Sequence, residues 1–308
     1  MACFYGVERK SANIAFYVLF LGLTFFISTG LNARQVKQAA TAKHCLWVVE
    51  TSAHPVFLMG SLHVLKSDAY PLAKAIYDAY AVSQKIVFET DLRSMLDPAV
   101  QAKMMSMGLY PEGDNLSQNI PVELQRSLKK KLRSLGLPMK QFERFRPWFL
   151  AVTLTTLELQ RLGFSPVYGI DVHFYDRAGS DEKEIGFLEP VAYQLDLLGK
   201  MKARDQNAFL SQTLTDLEVA AEMAAEMVMY WKKGDVDNLY RVLFKSFEGY
   251  PEIENRLLRQ RNKDWVLKIE EMMKEDKTVF IIVGAGHLIG PGSVVEILKK
   301  KGYTVKQK

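Results

Sequence analysis

Short apolar runs alternate along the chain with longer stretches whose apolar positions recur at helical spacing. Residues 46–50 and 56–59 read as paired strands joined by a turn through His54-Pro55. Residues 86–88 form a short apolar strand ending at Glu89, and residues 184–188 form another ending at Glu189-Pro190. Residues 278–283 are the most strand-like run, and residues 303–305 make a last short strand. Between them, helical spacing runs over residues 72–83, with Pro71 placed at the start. Helices are expected to begin at Asp97-Pro98 and at Pro121-Val122-Glu123, and Gly136-Leu137-Pro138 reads as a stop. Residues 147–162 form a strong apolar helix, and residues 191–198 resume the spacing. One long helix is predicted over 209–233, with Leu210, Leu214, Leu217, Ala221, Ala224 and Val228 on one stripe. Two more helices follow over 253–273 and 293–301. Strands interspersed with helices predict an α/β fold. A mixed central sheet is flanked by helices, with a helical insertion between residues 97 and about 180.

The N-terminus departs from this pattern. Arg9 and Lys10 precede a mostly apolar run over 12–27, followed by Ser28, Thr29, Gly30 and Ala33. A basic region, an apolar region and small residues make residues 1–33 a secretory signal or an uncleaved membrane anchor. Either predicts that residues 34–308 form one exported domain, periplasmic, secreted or anchored to face outward. The net charge of +5 comes partly from lysines near the C-terminus and around Lys129 to Lys131. These lie beside apolar residues at helical spacing and read as solvated helix faces. No basic stripe with interleaved aromatics points to nucleic acid. Cys3 and Cys45 form neither a disulfide framework nor a CxxC motif.

Four strand candidates end in polar residues or glycine steps. They are Met59-Gly60-Ser61-Leu62-His63, Phe88-Glu89-Thr90-Asp91, Phe187-Leu188-Glu189-Pro190 and Val283-Gly284-Ala285-Gly286-His287. In open α/β sheets ligands bind outside the carboxyl ends of the strands. The chain has five histidines, and two of them share a Gly-x-x-His context, at Gly60/His63 and Gly284/His287. His63, Glu89, Glu189 and His287 are thus candidate ligands for a divalent ion such as Zn²⁺, Mn²⁺ or Co²⁺. A spare carboxylate would serve as general base. Taken singly, each histidine is more often a hydrogen-bonded core or capping residue than a ligand. His44 and His54 read as solvated, and His173 as a hydrogen-bonded structural residue. No HExxH, GxSxG or GKS/T occurs, and the glycines after residue 283 have the wrong spacing for a dinucleotide turn.

Taken together, these motifs resemble the TraB/GumN/Tiki family. The resemblance rests on Gly60-Ser61-Leu62-His63 with Tyr70-Pro71, Val87-Phe88-Glu89-Thr90-Asp91, Arg146-Pro147-Trp148 and Gly169-Ile170-Asp171. It continues through Gly186-Phe187-Leu188-Glu189, Trp231-Lys232-Lys233-Gly234-Asp235, Arg261-Asn262 and Gly284-Ala285-Gly286-His287. It covers about residues 44–308 and implies a fold like that of erythromycin-esterase (EreA) and ChaN-like proteins. It also implies a site using His63, Glu89 and His287, as in the Tiki branch of metal-dependent proteases. Glu189, Arg261 and Asn262 match further family positions. Arg261 could hold a carboxylate or an oxyanion by its planar fork, and with Asn262 it could equally belong to a structural hydrogen-bond network. The expected activity is metal-dependent hydrolysis of a peptide or small acyl substrate. Metal-free hydrolysis by a His and a Glu, and haem or peptide binding without turnover, are the alternatives.

Overall fold

The computed structural model describes residues 43–51 and 54–308, so the N-terminal segment read as a signal or anchor lies outside them. Six strands form one sheet: β1 Leu46–Glu50, β2 Val56–Ser61, β3 Lys85–Phe88, β4 Glu184–Phe187, β5 Val279–Gly284 and β6 Thr304–Gln307. Their order across the sheet is β4-β3-β5-β2-β1-β6. β2, β5, β3 and β4 run parallel to one another, whereas β1 is antiparallel to both β2 and β6. β5 is buried along its whole length, which explains its unbroken apolar sequence. A parallel strand covered on both faces shows no alternation.

The register sets Ser61 opposite Gly284, and Phe88 opposite both Ile282 and Phe187. All four parallel strands therefore end at one edge of the sheet. His63, Glu89, Glu189 and His287 follow those ends directly.

The helices build on two cores. The first lies around the sheet. It includes α1 Lys74–Val82 and, through buried Ile170, Phe174 and Ala178, α5 Ile170–Ser180. The second is helical, made by α2 Pro98–Gly108, α3 Val122–Ser134, α4 Pro147–Arg161, α6 Val191–Gly199 and α7 Ala203–Asp216. Asp97 caps α2 by accepting from the Ala99 amide at 2.7 Å. The expected insertion over 97–180 is thus redrawn. Helix α5 belongs to the sheet, and α6 and α7 join the helical lobe from beyond β4.

The single helix expected over 209–233 is two helices, α7 and α8 Ala220–Lys233. The apolar stripe is continuous in sequence but serves two cores. Leu210, Leu214 and Leu217 lie in the helical core, whereas Trp231 lies in the sheet core. The chain must turn after Leu217 to reach both. Gly234 ends α8 in a left-handed conformation with φ 62°. α9 Val236–Phe244, α10 Gln260–Met272 and α11 Val294–Lys300 complete the fold. Pro71 stands before α1 rather than in its first turn, because Ala73 is extended (ψ 141°) and helical geometry begins at Lys74.

Two of the three histidine expectations change, those for His44 and His173. His44 is buried rather than solvated. His54 is exposed and meets Asp276 at 2.9 Å. His173 packs among the rings of Tyr70, Tyr77 and Phe174, and its Nε2 is buried without a hydrogen-bond partner. Among the described residues no helix is long and apolar enough to cross a membrane.

Candidate active site

The parallel register brings the strand-end residues together, and Arg261 joins them from the first turn of α10. Its guanidinium donates to Glu89 Oε2 at 2.7 Å and to Glu189 Oε1 at 2.6 Å. A further Arg261 nitrogen lies 3.1 Å from His287 Nε2. The helix before α10 widens into a π-helical turn over Asn255–Arg259. Arg261 Nη1 also donates to the Leu257 carbonyl in that turn, at 2.8 Å. The guanidinium is nearly fully buried, and its fork matches the two carboxylates.

Both imidazoles are fixed through Nδ1. His63 Nδ1 donates to Asp171 Oδ2 at 2.8 Å, and His287 Nδ1 donates to Asn262 Oδ1 at 2.6 Å. Asn262 is itself held by donation to the Gly292 carbonyl at 2.8 Å. Each Nε2 lone pair is thereby turned away from its anchor. His287 Nε2 stands 3.9 Å from Glu89 Oε1. Glu89 Oε1 accepts from the Gly284 amide at 2.8 Å, while Gln194 donates to Glu89 Oε2 at 3.2 Å.

Two glycines make this approach feasible. A Cβ on Gly284 would sit 3.1 Å from His63 Nε2 and 3.3 Å from Glu89 Oε1, so Gly284 is where these two side chains converge. A Cβ on Gly169 would collide with the His63 carbonyl oxygen. Gly169 therefore lets the start of α5 press against the segment carrying His63, which delivers Asp171 to its ring.

The electrostatics follow from this packing. Burial alone would raise the Glu89 pKa, but Arg261, His287, His63 and the Gly284 amide more than offset it and hold it at about 2. Burial, then the Arg261 charge, push His287 down to about 3, so it is neutral at physiological pH. Burial also works against charge on His63. Asp171, by charge and hydrogen bond, and then Glu89 outweigh it and raise His63 to about 9. His63 is also the open member of the set, with its side chain 49% exposed against 5% for His287.

Glu189, a candidate ligand from the sequence, has both oxygens engaged. Oε1 accepts from Arg261 and from Gln194 at 2.7 Å, and Oε2 accepts from Trp265 at 2.9 Å. It faces Arg261 and stands apart from His63. Among the described residues no three His, Cys, Asp or Glu side chains form a ready metal site. The donors His63, Glu89 and His287 nevertheless fit a divalent ion in kind. Two imidazoles with anchored Nδ1 atoms and one oriented carboxylate are the donor set and outer support of catalytic zinc sites. With His287 neutral and His63 protonated, the carboxylates of Glu89, Glu189 and Asp171 outnumber Arg261 and His63 by one negative charge, and an ion that takes His63 Nε2 would displace its proton. For an ion to bind, Arg261 must release His287 Nε2.

Sequence reasoning gave Asp171, Gln194 and Trp265 no role. Asp171 closes the Gly169-Ile170-Asp171 motif and Trp265 follows Arg261-Asn262 closely, whereas Gln194 carried no signal.

The sequence matches the TraB/PrgY/gumN family over residues 45–307. Similar curated proteins include metalloprotease TIKI2 of Xenopus tropicalis, 24% identical over 85% of this chain and 59% of that protein. Metalloprotease TIKI1 of Homo sapiens is 22% identical over 89% of this chain and 64% of its own length. The uncharacterized protein YbaP of Escherichia coli strain K12 is 24% identical over 79% of this chain and 87% of its own. The chain thus spans less than two thirds of the length of the TIKI proteins. No solved structure matches it. With the match running from β1 to β6 and taking in every residue of the strand-end cluster, the chain belongs to the TraB/PrgY/gumN family.

Proposed function

We propose that the chain is a metal-dependent hydrolase of peptide or acyl bonds, acting outside the cytoplasm. A divalent ion, Mn²⁺, Co²⁺ or Zn²⁺, would be held by His63, Glu89 and His287. The observation that carries the reading is the pair of anchored imidazoles, whose Nε2 atoms approach Glu89 Oε1, that of His287 at 3.9 Å and that of His63 over Gly284. The metalloprotease names of the TIKI relatives support the same reaction class. The basic and then apolar N-terminal segment supports export.

When bound, such an ion supplies Lewis-acid polarisation of the scissile carbonyl and activation of water. The protein's own groups do the rest. Asp171 holds the His63 ring in one tautomer and orientation, and Asn262 does the same for His287. Arg261 binds Glu89 and Glu189 together and keeps Glu89 ionised, while the Gly284 amide holds its Oε1. Glu189, with Trp265 and Gln194, fixes Arg261 in turn. His63, half exposed, is the side chain that a substrate meets first.

A second reading is favoured by the Arg261–His287 contact, which leaves His287 Nε2 occupied by a guanidinium. In it, no ion takes part. Glu89 accepts a proton from water, and His63 donates one to the leaving group.

Elemental analysis and titration of the full chain with Mn²⁺, Co²⁺ and Zn²⁺, beside His63→Ala, separate the two. One ion per chain, lost in the variant and required for turnover of a peptide or ester panel, is the expected result. Turnover that survives chelation and dialysis would replace the first reading with the second. Neither binding nor turnover would remove both.

A further inference from the structure

We infer that the cavity beside His63, walled by both cores, binds an alkyl or aryl group and so selects substrates carrying one next to the bond that is cut. The inference rests on the hydrolase reading for its place in catalysis, though not for binding itself. The cavity has a volume of about 320 Å³. Leu62 and Val64, the residues on either side of His63, form part of its wall. Leu62 belongs to the sheet core and Leu217, on the facing wall, to the helical core. Cavities between packed units are a common place for small-molecule sites.

The wall is also tied to the catalytic side by hydrogen bonds. The Leu65 and Ser165 backbones bond reciprocally at 3.3 and 2.8 Å, placing Phe164, another wall residue, beside the His63 segment. The Ile170 amide donates to the Leu62 carbonyl at 3.2 Å, next to Asp171, which holds the His63 ring.

The chemistry of the lining points to an apolar occupant. Thr155 and Thr213 both donate to carbonyls of their own helices, at 3.0 and 2.8 Å. Glu158 is paired with Arg161, and Asp216 accepts from Gln212 at 2.8 Å. These four polar residues, all of the lining polar side chains but Ser246, already have protein partners, and such a lining offers water little. Met223 and Met227 contribute flexible thioethers, which adapt to apolar groups of different shape.

Calorimetric titration of the full chain with straight-chain carboxylates from hexanoate to dodecanoate tests the inference. N-acetyl amides of leucine and phenylalanine form a second arm. Expected is a Kd that falls about fourfold for each added methylene until the cavity is full. Ala224→Phe, which fills the cavity, should weaken binding at least about tenfold, the worth of two buried methylenes. Met227→Ala should shift the length limit to longer chains, and it preserves the test if Ala224→Phe does not fold. His63→Ala should leave binding intact. A Kd independent of chain length, or one that ignores both cavity variants, overturns the inference. Intact length-dependent binding without turnover of any peptide or ester would count against the hydrolase reading alone. Tighter binding of the amides marks a peptide side chain as the natural group, and tighter binding of the carboxylates marks an acyl chain.

Discussion

Asp171 Oδ2 lies 2.8 Å from Nδ1 of His63, and this bond leaves Nε2 as the ring nitrogen beside Gly284 and Glu89. A carboxylate behind a functional imidazole fixes its tautomer and strengthens it as a base or ligand. Replacing it by Asn removes the charge and lets the ring turn over. Asp171→Asn should therefore lower kcat/KM, and the affinity for any activating ion, by about 10- to 100-fold. Ser61, which donates to the other Asp171 oxygen at 3.1 Å, should matter less. Steady-state kinetics with an ion titration check this, and full activity in Asp171→Asn would remove the assigned role.

Gly284 has an ordinary helix- or extended-type φ of −50°, so an alanine there meets no backbone penalty. The added methyl would instead press on His63 Nε2 and Glu89 Oε1. The expected outcome for Gly284→Ala is a large loss of turnover with a small change in Tm. Equal losses in both would show that the position is needed for packing alone.

Arg261 should be among the more costly residues to truncate. Arg261→Met leaves Glu89 and Glu189 buried without their counter-charge, which typically costs about 3–5 kcal/mol. Arg261→Lys keeps the charge but loses the fork, and should recover only part of that stability. Urea unfolding of the three proteins measures the difference. A loss below about 1 kcal/mol for Arg261→Met, the range of an exposed pair, would contradict the buried network.

His173 gives a pH prediction away from the site. Burial among Tyr70, Tyr77 and Phe174, then the charge of Arg177, lower its pKa from 6.5 to about 4. The folded state thus binds fewer protons than the unfolded state between these values. The contribution of this residue is fully present above pH 6.5 and is lost as pH falls towards 4. His173→Phe removes the titration. The gap in stability between wild type and variant should therefore shift in favour of the variant across that window. A gap that stays constant with pH would refute the assignment.

The sheet and the cluster were legible in the sequence to different depths. His63, Glu89, Glu189 and His287 could be placed at one edge because each follows a short apolar run, and ends of parallel strands share an edge. What those side chains touch was not legible. Asp171 meets His63 across 108 residues, and the contact depends on how α5 docks over Gly169. Glu189 reads as a donor like Glu89 until the Arg261 fork and the Trp265 indole are seen on its oxygens. The break between α7 and α8 was hidden for a related reason. One apolar stripe continues through Leu217, and only the presence of two cores shows that it must turn.

The position of β5 ties completion of the His63–Glu89–His287 cluster to the order of assembly. It lies between β2 and β3 in the sheet yet follows both by roughly two thirds of the chain. Until it inserts, His63 and Glu89 stand on strands that have no shared neighbour, and neither Gly284 nor His287 is in place. Long-range parallel pairings of this kind form slowly. A nascent or nicked chain lacking β5 would therefore hold no complete cluster even with most of its helices formed, and the cluster would appear in one step when the central strand closes the sheet.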